Sequence, residues 1–229
     1  AIVGYPAFMF KLTDYLRTPE GKIIVNKTTG YPSQDPTPRM FGRTLPKYIL
    51  GINPSFEWRG LSLTITADYR AGHQVYHGIG PDMDFTGISA RSATNGRQRF
   101  VVPNSVYDDG TGKFVDNTNV LVRAGGYGFF EATATNRGIN SNYITSAAAW
   151  KVREVALTYD LPSALLKKTK SIKGANIGFV ARNLFTFLPV SNEWTDPEFA
   201  NTTGNAAGVN NSSILPPNRL FGFNVTLRF

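Results

Sequence analysis

Apolar and polar positions alternate with a period of two along several stretches of this chain. That pattern marks β-strands with one apolar and one polar face. At the end of the sequence Phe221, Phe223, Val225, Leu227 and Phe229 alternate with Gly222, Asn224, Thr226 and Arg228. Earlier, Tyr48, Leu50, Ile52, Pro54, Phe56 and Trp58 interleave with Ile49, Gly51, Asn53, Ser55 and Glu57. After Arg59-Gly60, Leu61, Leu63, Ile65, Ala67, Tyr69 and Ala71 interleave with Ser62, Thr64, Thr66, Asp68 and Arg70, so the two runs predict a β-hairpin with a two-residue turn. Pro54 argues against a central strand or marks a bulge.

Between Trp150 and Tyr159 the alternation slips phase. Trp150 and Val152 share one parity, while Val155, Leu157 and Tyr159 share the other. A bulge at Arg153-Glu154 restores one common face. Ile177, Phe179, Ala181, Phe185 and Phe187 form the next apolar face. Residues 161–168 predict a helical turn with Ser163 near its N-cap. Six strands are therefore expected near 3–14, 46–58, 61–76, 147–160, 175–188 and 218–229, in one antiparallel sheet.

The connections are unequal. Arg59-Gly60 is minimal and 161–174 is short, whereas 77–146 and 189–216 are long and rich in Gly, Asn, Thr and Ser. The long connections fall on one end of the strand array and the short ones on the other. Aromatic residues stand at strand ends: Tyr48, Trp58, Tyr69, Tyr76, Trp150 and Tyr159. An outer-membrane β-barrel has both features.

Composition narrows the alternatives. With 17% charged and 13% aromatic residues, 22 Gly and 14 Pro, the 229-residue chain is no polyelectrolyte, coiled coil or collagen. Having no Cys, it carries no disulfide scaffold, thiolate zinc site or Cys nucleophile. No run approaches the length of a membrane-spanning helix. No signal peptide is read at Ala1, so the chain is expected to be mature, truncated or not exported by that route. Six strands are fewer than the about eight that close the smallest spanning barrels, so the chain alone predicts an incomplete barrel.

Several segments resemble the SusC/RagA-like TonB-dependent outer-membrane transporters. Pro216 to Phe229 resembles the C-terminal strand of outer-membrane proteins, with its terminal aromatic residue. Residues 148–162 (AAWKVREVALTYDLP), Ala181-Arg182-Asn183-Leu184-Phe185-Thr186-Phe187 followed by Asp196-Pro197-Glu198, and Phe56 to Leu63 resemble three further family segments, in the family's order. The resemblance implies an all-β fold. It makes residues 1–229 the C-terminal part of a transmembrane β-barrel, about its last six strands, with long extracellular loops. Family barrels have about 22 strands, and the plug and earlier strands are absent from this chain. The implied role is TonB-dependent nutrient import across the outer membrane of a Gram-negative bacterium, with oligosaccharide or oligopeptide as substrate. The implied partners are the remaining barrel and plug, a SusD-like surface lipoprotein, the TonB machinery and outer-membrane lipid. A soluble all-β glycan-binding domain and a plugless porin-like or adhesive barrel are the alternatives.

Candidate chemistry is sparse. The lumen-side candidates are Glu57, Asp68, Arg70, Arg182 and Arg228, which either satisfy one another or meet substrate. Tyr107, Phe114, Tyr127, Phe129, Phe130, Tyr143 and Trp194 in the long loops suit stacking on sugars or peptides, or internal packing. Among these, Tyr107, Tyr127, Phe129, Phe130, Trp194, Asp68, Arg70 and Arg182 are the ligand-site candidates. His73 and His77 share a strand face without a third ligand, and Asp108-Asp109-Gly110-Thr111-Gly112 reads as a turn rather than a calcium loop. Asp82 and Asp84 read as turn residues sooner than as a cation site. Lys167, Lys168, Lys170 and Lys173, within a net charge of +8, lack the aromatic interleaving of a nucleic-acid site and read as a solvated turn. No catalytic motif appears, so no enzyme activity, cofactor or metal is expected.

Overall fold

The structure, a computed structural model, describes residues 2–167 and 171–229; Lys168 and Lys170 of the basic run lie outside the described residues. The chain is mostly β-structure with few, short helices, and it divides into two units interleaved in sequence. One unit holds residues 45–74, 146–199 and 214–229, and the other holds 1–44, 75–145 and 200–213.

The first unit is one antiparallel sheet of six strands: β1 (Tyr48–Ile52), β2 (Ser55–Trp58), β3 (Leu61–Ala71), β4 (Ala149–Asp160), β5 (Gly174–Phe187) and β6 (Leu220–Arg228). Their order is β6-β5-β4-β3-β1, with β2 also pairing β3. The hairpin turn is the expected one. Arg59 and Gly60 both take positive φ (48° and 86°), the mirror-image turn whose twist matches its strands. Pro54 splits the expected 46–58 strand into β1 and β2, both in register with β3 on either side of it. Its missing N–H is harmless because β1 and β2 form an edge.

The bulge also lies where the phase slip places it. Register shifts between Val152 and Glu154 against both neighbours. Lys151 stands opposite Asp68 and Glu154 opposite Thr66, so the extra residue, Arg153, lets Val155 rejoin the apolar parity of Val152. Register then aligns the apolar parities across every strand. Phe56, Leu63, Leu157, Phe179 and Phe223 form one such row, and Trp58, Leu61, Tyr159, Ile177 and Val225 another. Most rings of this face are exposed, Phe223 by 70%, as is Val225 by 54%. Leu61, Leu63, Ile65, Val152, Val155 and Ile177 on the inner strands are half-buried, and the buried residues of the sheet are Ala67, Ala149, Ala175, Gly178, Ala181 and Lys151. This distribution is the reverse of a dry sandwich core, which would bury its aromatic parity.

Two strand expectations need correction. The 3–14 strand shrinks to Met9–Leu12, pairs with Arg39–Arg43 alone among the described residues, and belongs to the other unit. Gly4, Pro6 and a positive φ at Phe8 interrupt the extended backbone before it. The 61–76 strand ends at Ala71, because Gly72 turns with φ 78°, and Gln74–His77 joins a separate small sheet with Ile144–Ser146 and Val209–Asn210. The helical turn expected within 161–168 forms as Ser163–Leu166, with Ser163 next to the N-cap, Pro162, which makes no side-chain bond. The sheet thus has five positions across, β1 and β2 sharing one, and it does not close on itself.

The second unit has its own core: Val25, Val102, Val122, Phe129 and Phe130, with Ile23, Tyr31, Phe100 and Tyr107 packed against them. Short strands frame it, Ile23–Ile24 pairing parallel with Ser105–Asp108, which pairs antiparallel with Phe114–Asp116. No helix among the described residues is long and apolar enough to cross a membrane, which says nothing of strands.

Candidate functional site

The polar parity of the sheet gathers the strongest electrostatic feature of its unit. Asp68 on β3 stands opposite Lys151 on β4, and the bulge adds Arg153 to the same side. Arg153 grips Asp68, with one contact of 3.0 Å, and Arg70 Nε donates to Asp68 at 2.9 Å. The segment after β5 supplies two more carboxylates. Lys151 Nζ lies 2.6 Å from Asp196 and 2.7 Å from Glu198; Arg153 donates to Glu198 at 2.5 and 2.6 Å, and Arg70 approaches it at 3.6 Å. Three cations therefore face three carboxylates.

Lys151 is only 5% exposed, so this charge persists through pairing rather than hydration. Burial pushes the Glu198 carboxyl up, but the bonds from Arg153 and Lys151 outweigh it and hold the group at about 2. Arg182, another candidate, sits apart: its Nε donates to Glu154 at 2.7 Å across β4 and β5, and both side chains are well exposed.

Sequence reading singled out Asp68 and Arg70 but missed Lys151, Arg153, Asp196 and Glu198 as members of one cluster. The available signal was the bulge itself, which sets polar residues where an apolar alternation should continue. Asp196 and Glu198 are far from β4 in sequence, and no periodicity announces their return.

The loop aromatics divide. Phe129 and Phe130 are buried in the core of the second unit, and Tyr107 packs against that core. Tyr127 and Phe114 remain exposed, Tyr127 by 47%. Trp194 is half-buried in the segment after β5, and its backbone N–H donates to Asn192 Oδ1 at 3.2 Å. Tyr143 is wholly buried and its hydroxyl donates to Asp84 Oδ2 at 2.7 Å. Asp84 also accepts from Ser89 (2.5 Å), Asn136 (2.7 Å) and Arg91. Burial raises the Asp84 carboxyl, but the Arg91 and Ser89 bonds keep it below the usual carboxylate range. Its oxygens are thus taken by donors that brace the unit.

The remaining candidates are local. Asp108 Oδ1 accepts from the backbone of Gly110 and Gly112, and Asp109 Oδ1 from Thr111, as a glycine-rich turn requires. The His77 ring lies 2.8 Å from the Asn210 amide. Among the described residues no group of three metal-ligating side chains forms. A cavity of ≈ 360 Å³ in the second unit is lined by residues that include Tyr5, Phe8, Met9, Lys11 and Met40.

No protein-family model matches the chain, and no curated protein sequence does either. Solved structures do. The RagAB peptide importer in its "open-open" state superposes with a TM-score of 0.60 over 99% of this chain, at 19% identity. A structure of the RagAB peptide transporter gives 0.54 over 96% at 16% identity, and the importer's "closed-closed" state 0.54 over 98% at 17%. The chain spans 23%, 22% and 23% of those chains respectively. At these identities the likeness is one of fold.

Proposed function

We propose that this chain is barrel wall and surface loop of an outer-membrane importer of the SusC/RagA-like, TonB-dependent kind, and that oligopeptides are its cargo. The observation that carries the reading is the unbroken apolar face, in register across β2 to β6 and exposed at its aromatic residues. Lipid hydrocarbon is the environment that favours such a face, while the opposite parity suits a hydrated lumen. The free edges of β6 and of β1 and β2 call for further strands, because unpaired backbone groups are costly in lipid. The fold likeness to about a quarter of each RagAB chain agrees with a partial wall, and the names of those structures favour peptide over oligosaccharide.

In this reading the remaining barrel and plug complete the pore, a SusD-like surface lipoprotein delivers cargo, and the TonB machinery supplies energy. The chain contributes no reaction chemistry. The soluble glycan-binding alternative fits poorly with Phe223 at 70% exposure. The test is uptake of labelled oligopeptides by cells expressing the parent protein. Uptake that disappears when the proton-motive force is collapsed supports the reading; oligopeptide uptake that is absent, or indifferent to that force, refutes it.

A further inference from the structure

The segment between β5 and Phe199 is braced from within. Asn192 N–H donates to the Pro189 carbonyl, Asn192 Nδ2 to the Thr195 carbonyl at 2.9 Å, Glu198 N–H to Asp196 Oδ1 at 2.9 Å, and Phe199 N–H to the Asp196 carbonyl. Asp196 and Glu198 then reach out of the segment to Lys151, Arg153 and Arg70. Residues 189–199 thus form an internally held strap, moored to the polar face of the sheet by two carboxylates. Lifting the strap leaves Asp68 alone against three cations, an excess of two positive charges on a face where Ser62, Thr64, Thr66 and Thr158 are neutral and Glu154 is already paired with Arg182.

We propose that Arg70, Lys151 and Arg153 form a carboxylate-binding site whose resident ligands are the chain's own Asp196 and Glu198, and that an acidic peptide displaces the strap by taking their place. The inference rests on the importer reading in taking a peptide as the incoming anion. The chemistry is an exchange of ion pairs: each incoming carboxylate replaces a resident one on the same guanidinium or ammonium group, and no covalent bond is made or broken. Arg153 is suited to the exchange because its planar fork receives a carboxylate through two parallel bonds, as it now holds Glu198. An acidic peptide is favoured over a neutral one because its several side-chain carboxylates cancel the charge that the departing strap uncovers, whereas a neutral peptide's one terminal carboxylate is offset by its own ammonium group.

The test is a distance. These 229 residues contain no Cys, so spin labels at Val190→Cys, a fully exposed residue of the strap, and Ile49→Cys, an exposed residue of β1, report strap position in a parent protein freed of any other Cys. Pentaglutamate should lengthen the distance, whereas pentalysine and sodium chloride at matched ionic strength should not. A distance indifferent to millimolar pentaglutamate overturns the inference. Asp196→Asn with Glu198→Gln should bind pentaglutamate about two- to fivefold tighter, the scale of partly exposed ion pairs, and bind pentaserine unchanged. Equal changes for both peptides also overturn it. The two readings fail separately. Pentaserine bound without strap movement by pentaglutamate sinks the strap alone; strap movement without peptide import by cells sinks the importer alone.

Discussion

Replacing Lys151 by Gln keeps most of the side-chain volume and removes the charge that Asp196 and Glu198 share. Each contact, at 2.6 and 2.7 Å, is worth about 6 kcal/mol in gross attraction at an effective dielectric of about 20. Desolvation of the ammonium cancels most of this sum in the wild type, so the net worth of the pairing is far smaller. The variant, however, leaves two carboxylates facing each other without their common partner. Breaking a fully buried pair costs about 3–5 kcal/mol. Asp196 and Glu198 keep 18% and 32% of their side-chain exposure, so water relieves part of that penalty. We expect the strap to lose about 2 kcal/mol, since Arg153 still holds Glu198. Amide hydrogen exchange at Glu198 and Phe199, whose N–H groups bond inside the strap, should then accelerate about thirtyfold. Arg182→Gln breaks a pair whose partners are 60% and 35% exposed, and should change exchange of the neighbouring strand amides by less than about twofold. Equal effects of Lys151→Gln on the strap and Arg182→Gln on its strand would refute the burial argument.

Three further outcomes follow from the geometry. Glu198 has its folded value depressed to about 2 against 4.5, so its contribution is present above pH 4.5 and fades as pH falls toward about 2; strap exchange protection should drop between pH 5 and 3 and be flat from 5 to 7. Gly125→Ala sets a Cβ 2.0 Å from the Gln98 backbone carbonyl and should cost about 1–3 kcal/mol in urea unfolding, whereas Gly178→Ala meets only the movable Asn224 amide and should cost less than about 1 kcal/mol. Val225→Lys places a charge on the apolar face at a cost of about 2–4 kcal/mol near a bilayer midplane, and should reduce heat-modifiable folded band of the parent protein more than Thr226→Lys does.

The strands of the sheet were legible because each carries its own signal. The parity of Leu61 to Ala71 and of Phe221 to Leu227 fixes which residues share a face, and register does the rest. Even the Arg153 bulge showed, as a break in phase. The errors fall where local backbone geometry overrides pattern. Positive φ at Phe8 and Gly72 ended strands that hydrophobicity alone would continue, and Gln74–His77 pairs with a strand more than a hundred residues distant, at Val209. Long-range closures of that kind leave no period in the sequence. The same limit hid the candidate site. Asp68 and Arg70 were visible by parity, but the carboxylates that meet Lys151 and Arg153 arrive on an irregular segment. The buried aromatics tell a matching story. Phe129 and Phe130 lie on a one-turn helix, Tyr127–Phe130, inside a glycine-rich stretch, and nothing local in the sequence distinguishes a ring that packs from one that stays exposed like Tyr127.

The central claim is that the Phe223 side of the sheet faces hydrocarbon and the Asn224 side faces water. Single cysteines at Phe223 and Asn224 of the parent protein, labelled with a fluorophore and reconstituted in liposomes, test it directly. With lipids brominated on their acyl chains, the Phe223→Cys label should be quenched and the Asn224→Cys label spared; with aqueous iodide the order should reverse. Equal quenching of both labels by brominated lipid, or quenching of Asn224→Cys alone, would contradict the account.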